Sequence, residues 1–204
     1  MTSEVRRVAL VLHPATMLYE AAIAAEVFGV DRSDLSPRGA WFDLVVCTAD
    51  GRPHPWLPHL PAAAYDAIAA ADLVVVPSTE DPDADPDPGL LAALRDAHAR
   101  GARIASLCTG SFVLAAAGLL DGRTATTHWM HAADLARRYP RVDVRADVLY
   151  VDDGDVLTSA GKTAALDLCL HLVRRDLGPA VANGLARRLV VPAHRNGGQA
   201  QFIA

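Results

Sequence analysis

The chain has 204 residues, a formal net charge of −5, and 51% hydrophobic residues of which few are aromatic. That length suffices to bury one sizeable core and does not require a second domain. The acidic balance gives no global attraction to a phosphate backbone, and no apolar run is long enough to cross a bilayer.

The N-terminus runs straight into a strand-like segment and lacks the apolar stretch and small-residue cleavage site of a signal peptide. Three widely spaced cysteines argue against a disulfide framework and for a reducing, cytoplasmic setting.

Val8 to Leu12 is short and continuously apolar, as a strand covered on both faces should be, and His13-Pro14 ends it. An Ala-rich helix is expected from Tyr19 to Val30, closing at Gly29, with Glu20 in its first turn. By itself Glu20 reads as a solvated carboxylate favoured by the helix dipole. Trp41 to Thr48 reads as a second strand. Arg52 to Pro61, with four prolines and two histidines, reads as loop or edge structure. Ala62 to Ala71 is weakly helical, and Leu73 to Val76 is another buried strand ended by Pro77.

Ser78 to Gly89 carries three prolines and five acidic residues, a composition expected to form a mobile surface loop. If the sheet is parallel, that loop leaves the strand edge where α/β proteins carry their sites. It is then either a solvated charge run or a rim over the next bend that repels anions. Leu90 to Arg100 is an amphipathic helix ending at Gly101.

Ile104 to Leu107 reads as a buried strand and runs without a spacer into Cys108, Thr109, Gly110 and Ser111; Phe112 to Ala117 continues as helix. A strand that becomes a helix within about two residues needs a tight bend, with the bend residue standing out as in a nucleophile elbow. Gly110 lets the helix approach the sheet closely. Backbone N–H groups at the new helix start would favour a Cys108 thiolate. The alternative is a Cys108 that is simply a small buried hydrophobe.

Thr124 to Thr127 is β-prone and delivers His128-Trp129, and Met130 to Tyr139 is helical. Val142 to Val144, Leu149 to Val151 and Val156 to Ser159 read as strands, with Asp152-Asp153-Gly154 as a hairpin turn. Ala160-Gly161 opens a long helix through Leu177, and Ala180 to Val190 forms a last one. Cys47 and Cys169 read as core. His128 and His131 lie three apart, but no cysteine joins them at a metal-ligand spacing, so no metal is expected. Residues 192–204 are polar and Gly-containing and read as a linker; a few basic residues gather nearby (Arg187, Arg188, His194, Arg195). Strands alternating with helices point to a βαβ architecture.

Three blocks, Ser-Leu-Cys-Thr-Gly-Ser-Phe-Val-Leu, Ala-Gly-Leu-Leu-Asp-Gly-Arg and Ala-Thr-Thr-His-Trp, resemble the ThiJ/PfpI superfamily of class I glutamine-amidotransferase-like folds. Two branches share them: isocyanide hydratases and the N-terminal domains of AraC-type transcriptional regulators. The segment from Ala186 to Phe202, with Tyr150-Val-Asp-Asp-Gly and Thr158-Ser-Ala-Gly, is similar to the regulator branch.

The resemblance implies a flavodoxin-like α/β three-layer sandwich with a mostly parallel central sheet. It implies a ThiJ/PfpI-like domain over residues 1–191 and a tail at 192–204 leading toward a DNA-binding domain absent from this chain. The implied function is a ligand-sensing, homodimeric regulatory domain that meets DNA only through that helix-turn-helix domain; the alternative is a small-molecule hydro-lyase. By resemblance, Cys108 matches the elbow nucleophile, Glu20 the carboxyl group that hydrogen-bonds it, and His128 the neighbouring acid–base. Thr109, Gly110, Ser78 and Thr79 are the expected ligand contacts, and no cofactor is implied. One departure stands out: the family's enzymes carry Gly-Gly after the strand's proline, where an amide helps form the oxyanion hole, and this chain has Ser78-Thr79.

Overall fold

The computed structural model of the chain describes residues 6–203. Five short apolar runs make the centre of one sheet. They are β1 (Arg7–Val11), β2 (Asp43–Cys47), β4 (Leu73–Val76), β5 (Arg103–Leu107) and β9 (Val156–Ser159). With β3 (Ala62–Ala63) and β8 (Tyr150–Asp153) at its edges, the sheet among the described residues has the order β3-β2-β1-β4-β5-β9-β8. Every pairing is parallel except β8 with β9.

Alternation along each strand splits the core into two layers. Val8, Leu10 and Leu12 point with Leu73 and Val75 into one, while Ala9 and Val11 point with Val74 and Val76 into the other. The first layer is covered by α1 (Leu18–Gly29), α5 (Ala164–Leu177) and α6 (Pro179–Arg188). The second is covered by α2 (Pro88–Ala99), α3 (Gly110–Ala116) and α4 (Trp129–Arg138). Each fully buried Leu, Ile or Phe contributes about 1.5–3 kcal/mol of apolar burial. The three-layer sandwich is as expected, with strands buried on both faces because helices cover both. A separate parallel pair, β6 (Thr124–Ala125) with β7 (Asp143–Val144), lies outside the main sheet.

Several segments differ from the expectation. Trp41 and Phe42 precede β2 and do not belong to it; they pack edge-on to each other, and the Trp41 indole N–H donates to the Val27 carbonyl at 3.0 Å. Ala62 to Ala71 is an edge strand followed by a 3-10 turn, since short apolar residues there can pair with β2. Asp152 and Asp153 are in β8, and the hairpin turns one step later at Gly154. The helix expected from Ala160 starts only at Ala164, because Gly161 and Lys162 both take positive φ.

Two stretches read as surface loop or linker are anchored. Ser78 and Thr79, at the start of the acidic loop, are buried. In the tail, Gln199 is buried: its side chain accepts from the Trp129 N–H (3.0 Å) and donates to the Thr127 carbonyl (2.9 Å). A polar composition predicted exposure there, but polar side chains with partners can be buried at little cost.

Candidate functional site

Cys108 sits where β5 hands over to α3, with φ at +56°. A side-chain-bearing residue there costs about 1–3 kcal/mol and persists only where its surroundings hold it. Here its N–H donates to the Ser159 carbonyl of β9 at 3.0 Å. Its carbonyl accepts from the Ser111 hydroxyl and from the Thr127 hydroxyl, both at 3.1 Å. Neighbouring strand, new helix and the segment before His128 therefore all pin the same residue.

Two glycines allow the bend. Gly110 is packed so closely under the end of β4 that an added Cβ would lie 2.6 Å from the Pro77 carbonyl oxygen. Gly161, in the loop after β9, faces Cys108 directly, and a Cβ there would sit within its side chain, 2.6 Å from the sulfur. The close approach expected for Gly110 is thus to the end of β4, the strand beside its own.

Glu20 comes from the first turn of α1 and is completely buried. Its Oε2 accepts from the Ser78 hydroxyl at 2.8 Å, and its Oε1 accepts from the Lys162 backbone N–H at 3.1 Å. The Lys162 ammonium lies 3.4 Å from the same Oε1. Among the described residues no hydrogen bond joins Glu20 to Cys108; the carboxylate acts on the thiol through its charge. The partners the structure gives Glu20 are Ser78 and Lys162.

The thiol responds accordingly. Burial pushes Cys108 up to about 11, with the nearby Glu20 charge adding to the rise and the Thr109 N–H opposing it. Burial also raises Cys47 to about 11 and Cys169 to about 12. The expected low-pKa thiolate is therefore not what this environment favours: one helix-terminal N–H and one exposed Lys do not offset desolvation plus a buried carboxylate.

Thr79 and Thr109 are engaged with each other. The Thr79 N–H donates to the Thr109 hydroxyl at 2.9 Å, and that hydroxyl donates to the Thr79 carbonyl at 2.8 Å. The Thr79 amide, in the stretch after Pro77 where the resemblance implies an oxyanion donor, is thereby occupied.

His128 caps α4, its Nδ1 accepting from the Met130 N–H at 3.3 Å, so that a neutral ring carries its proton on Nε2. Partial burial lowers its pKa, with His131 and Lys162 reinforcing and Glu20 opposing. His128 lies against a cavity of about 450 Å³ that Gly161, Lys162 and the tail residues Arg195, Gln199 and Phe202 help to line. The elbow, Glu20 and the His128 side therefore converge around the Gly161–Lys162 loop. Sequence reasoning missed that loop and Gln199. The signal for the first was its place directly after the strand that flanks the elbow strand. Among the described residues no cluster of three or more His, Cys, Asp or Glu is arranged to hold a metal ion.

Comparison with known proteins gives the following. A model of the DJ-1/PfpI family matches residues 6–175. An uncharacterized protein of Streptomyces lividans is 43% identical over 69% of this chain and 99% of its own length. The HTH-type transcriptional regulator ArgR of Pseudomonas aeruginosa is 32% identical over all of this chain, which spans 61% of that relative. Isonitrile hydratase of Pseudomonas putida is 33% identical over 71% of this chain and 61% of its own length. An AraC family transcriptional regulator from Pseudomonas putida superposes with a TM-score of 0.73 at 26% identity, covering 90% of this chain and 99% of that one. Drosophila melanogaster DJ-1beta superposes with a TM-score of 0.76 at 22% identity, covering 93% of this chain and 100% of that one.

Proposed function

The chain belongs to the DJ-1/PfpI family, and on that premise we propose that it is the ligand-sensing, homodimeric regulatory domain of an AraC-type transcriptional regulator. In this reading the body is residues 1–191, and residues 192–204 lead toward a helix-turn-helix domain that alone contacts DNA, in the cytoplasm. Among the described residues no helix is long and apolar enough to cross a membrane. In this reading His128 borders the ligand's cavity, Cys108 and Glu20 lie buried behind the Gly161–Lys162 loop that lines it, and Ser78, Thr79, Thr109 and Gly110 shape the base.

The carrying observation is the state of Cys108. Burial pushes the thiol up to about 11, so the neutral form is favoured at pH 7. The Thr79 amide is committed to Thr109, and loss of one oxyanion donor typically costs about 100- to 1000-fold in rate. Both features suit a site that binds more than one that attacks. The whole-chain similarity to ArgR, tail included, supports the same side.

The test is incubation of the protein with tert-butyl isocyanide, following formamide production by NMR. The expected result is no turnover. Turnover that disappears in Cys108→Ser would return the chain to the hydratase branch, which its isonitrile hydratase relative keeps as the alternative. Sedimentation equilibrium should show a homodimer at micromolar concentration; a monomer would remove that part of the proposal.

A further inference from the structure

The strand order contains a reversal between β1 and β4. From β1 the chain moves outward to β2 and β3, then crosses back to β4 and continues the other way to β5. In open α/β sheets, ligands bind in the crevice outside the carboxyl ends of the strands at such a reversal. In this chain the two loops leaving those ends are residues 12–17 and 77–87, and they are tied together. The Met17 N–H donates to the Ser78 carbonyl at 3.0 Å, and the Glu80 N–H donates to the Ala15 carbonyl at 2.8 Å. Between them lies a cavity of about 190 Å³, the room of about six water molecules.

Three features of this cavity point to a ligand. Its floor is apolar, made by Leu90, Phe112, Val113 and Tyr139. His13 stands in its wall, and the buried Nε2 has no hydrogen-bond partner. An orphaned ring nitrogen in a buried place is costly unless another group meets it. Desolvation keeps that imidazole neutral at physiological pH by lowering its pKa. The roof is a clip: one Arg138 nitrogen donates to the Pro82 carbonyl and to Asp83 Oδ1, both at 2.7 Å. The same guanidinium lies over the Phe112 ring at 5.3 Å and the Tyr139 ring at 5.6 Å. Arg138 thereby ties the middle of the acidic loop, at Pro82 and Asp83, to the aromatic floor.

The rim also selects by charge. Asp81, Asp85 and Asp87 line the cavity, and its one cation, Arg138, is already paired with Asp83. An entering anion would meet net negative potential.

We propose that this switch-point cavity is a second binding site, beside the elbow and sharing Thr79 with it, for a compact and largely apolar molecule without negative charge that opens the His13 wall enough to bring one hydroxyl or amino group to the buried Nε2. The site goes beyond the sensing role: it binds whether or not the chain regulates transcription, and its test reads binding alone.

The experiment uses the whole chain with ¹⁵N-labelled histidine, titrated separately with benzyl alcohol, benzylamine and benzoate. His13 and His128 ring resonances are assigned by substitution. The expected result is a saturable shift of His13 Nε2 with benzyl alcohol and benzylamine, and binding of benzoate at least about tenfold weaker. His13→Phe, which keeps an aromatic ring in the wall and removes both ring nitrogens, should weaken benzyl alcohol about tenfold, as one hydrogen bond is lost. Arg138→Ala, made at the roof so that the core is untouched, should weaken it about threefold or more through the loosened loop. The proposal is overturned if His13 does not shift up to the solubility limit. It also fails if benzoate binds as tightly as the alcohol, if the probes move His128 in place of His13, or if both variants bind like the parent chain.

Discussion

The elbow at Cys108 and the cavity between the loops after β1 and β4 lie at the same edge of the sheet but treat their polar groups in opposite ways. Around Cys108 the groups are consumed internally: Ser78 and Lys162 hold Glu20, Thr79 holds Thr109, and Thr127 holds the bend carbonyl. Around His13 an aromatic floor is left open beneath a clipped loop, and a ring nitrogen is left unmatched. The contrast teaches that the bend is a rigid, satisfied scaffold, whereas the switch point keeps binding free energy in reserve for a molecule from outside.

The strongest way to break the scaffold half of that comparison is Gly161→Ala. The new Cβ would need to overlap Cys108 and to hold a φ of +77°. A loss of about 4 kcal/mol is expected in urea denaturation, from overpacking and backbone strain together. A loss below about 1 kcal/mol would mean the loop can move away and the elbow is not rigid.

Glu20→Gln should cost less, about 1–3 kcal/mol, because two buried hydrogen bonds lose a charged acceptor. It also sharpens the reading of the thiol. Since the Glu20 charge raises Cys108, the substitution should lower the midpoint of a pH profile of iodoacetamide alkylation at Cys108. If Glu20 instead donated to a thiolate, the midpoint would rise. In the parent chain at pH 7, Cys108 should be alkylated no faster than about tenfold above Cys47, because both thiols lie near 11.

Acid should weaken both regions. His13 and His128 each have a folded pKa below the ordinary value of 6.5, in both cases chiefly through burial. The unfolded chain then binds more protons near and just below pH 6.5, so their contribution is present above that pH and is lost as pH falls toward the folded values. Stability by chemical denaturation should decline between pH 7 and pH 5, and His13→Phe should flatten the decline. An unchanged slope would place His13 in a solvated setting.

The smallest effect is expected from Arg138→Ala. Global stability should fall by about 1 kcal/mol, since the Asp83 end of the pair is solvent-exposed. Limited proteolysis should nevertheless move to residues 78–87. Unchanged cleavage there would mean the loop holds itself down without the clip.

Much of the sheet was legible from local pattern. Leu73 to Val76 has the bounds its apolar run predicts, because a strand covered on both faces writes itself as a continuous hydrophobic segment, and Val156 to Ser159 has the bounds its β-prone residues after the Gly154 turn predict. The bend from Leu107 to Gly110 was legible for the same reason, as a run of β-formers abutting a helix former. Asp152-Asp153 and the start of α5 were misplaced because turn chemistry there competes with pairing to β9 and with contact against Cys108. Ser78-Thr79 and Gln199 looked solvated because their burial depends on partners that no neighbouring residue reveals.

The sequence alone determined the alternation of strands and helices, the kinked position of Cys108 and the resemblance that groups Glu20 and His128 with it. These are short-range properties, set by side-chain periodicity and by the bend a strand–helix junction needs. Only the tertiary structure decided the chemical character of that kink. Lys162 reaches Glu20 across 142 residues of chain and Ser78 reaches it across 58. Desolvation by the surrounding layers, together with those distant partners, turned an expected thiolate into a buried thiol. The same packing left His13 Nε2 buried without a partner in the wall of the switch-point cavity. Charge and burial at a site are sums over everything that packs around it, and the order of residues along the chain does not list those neighbours.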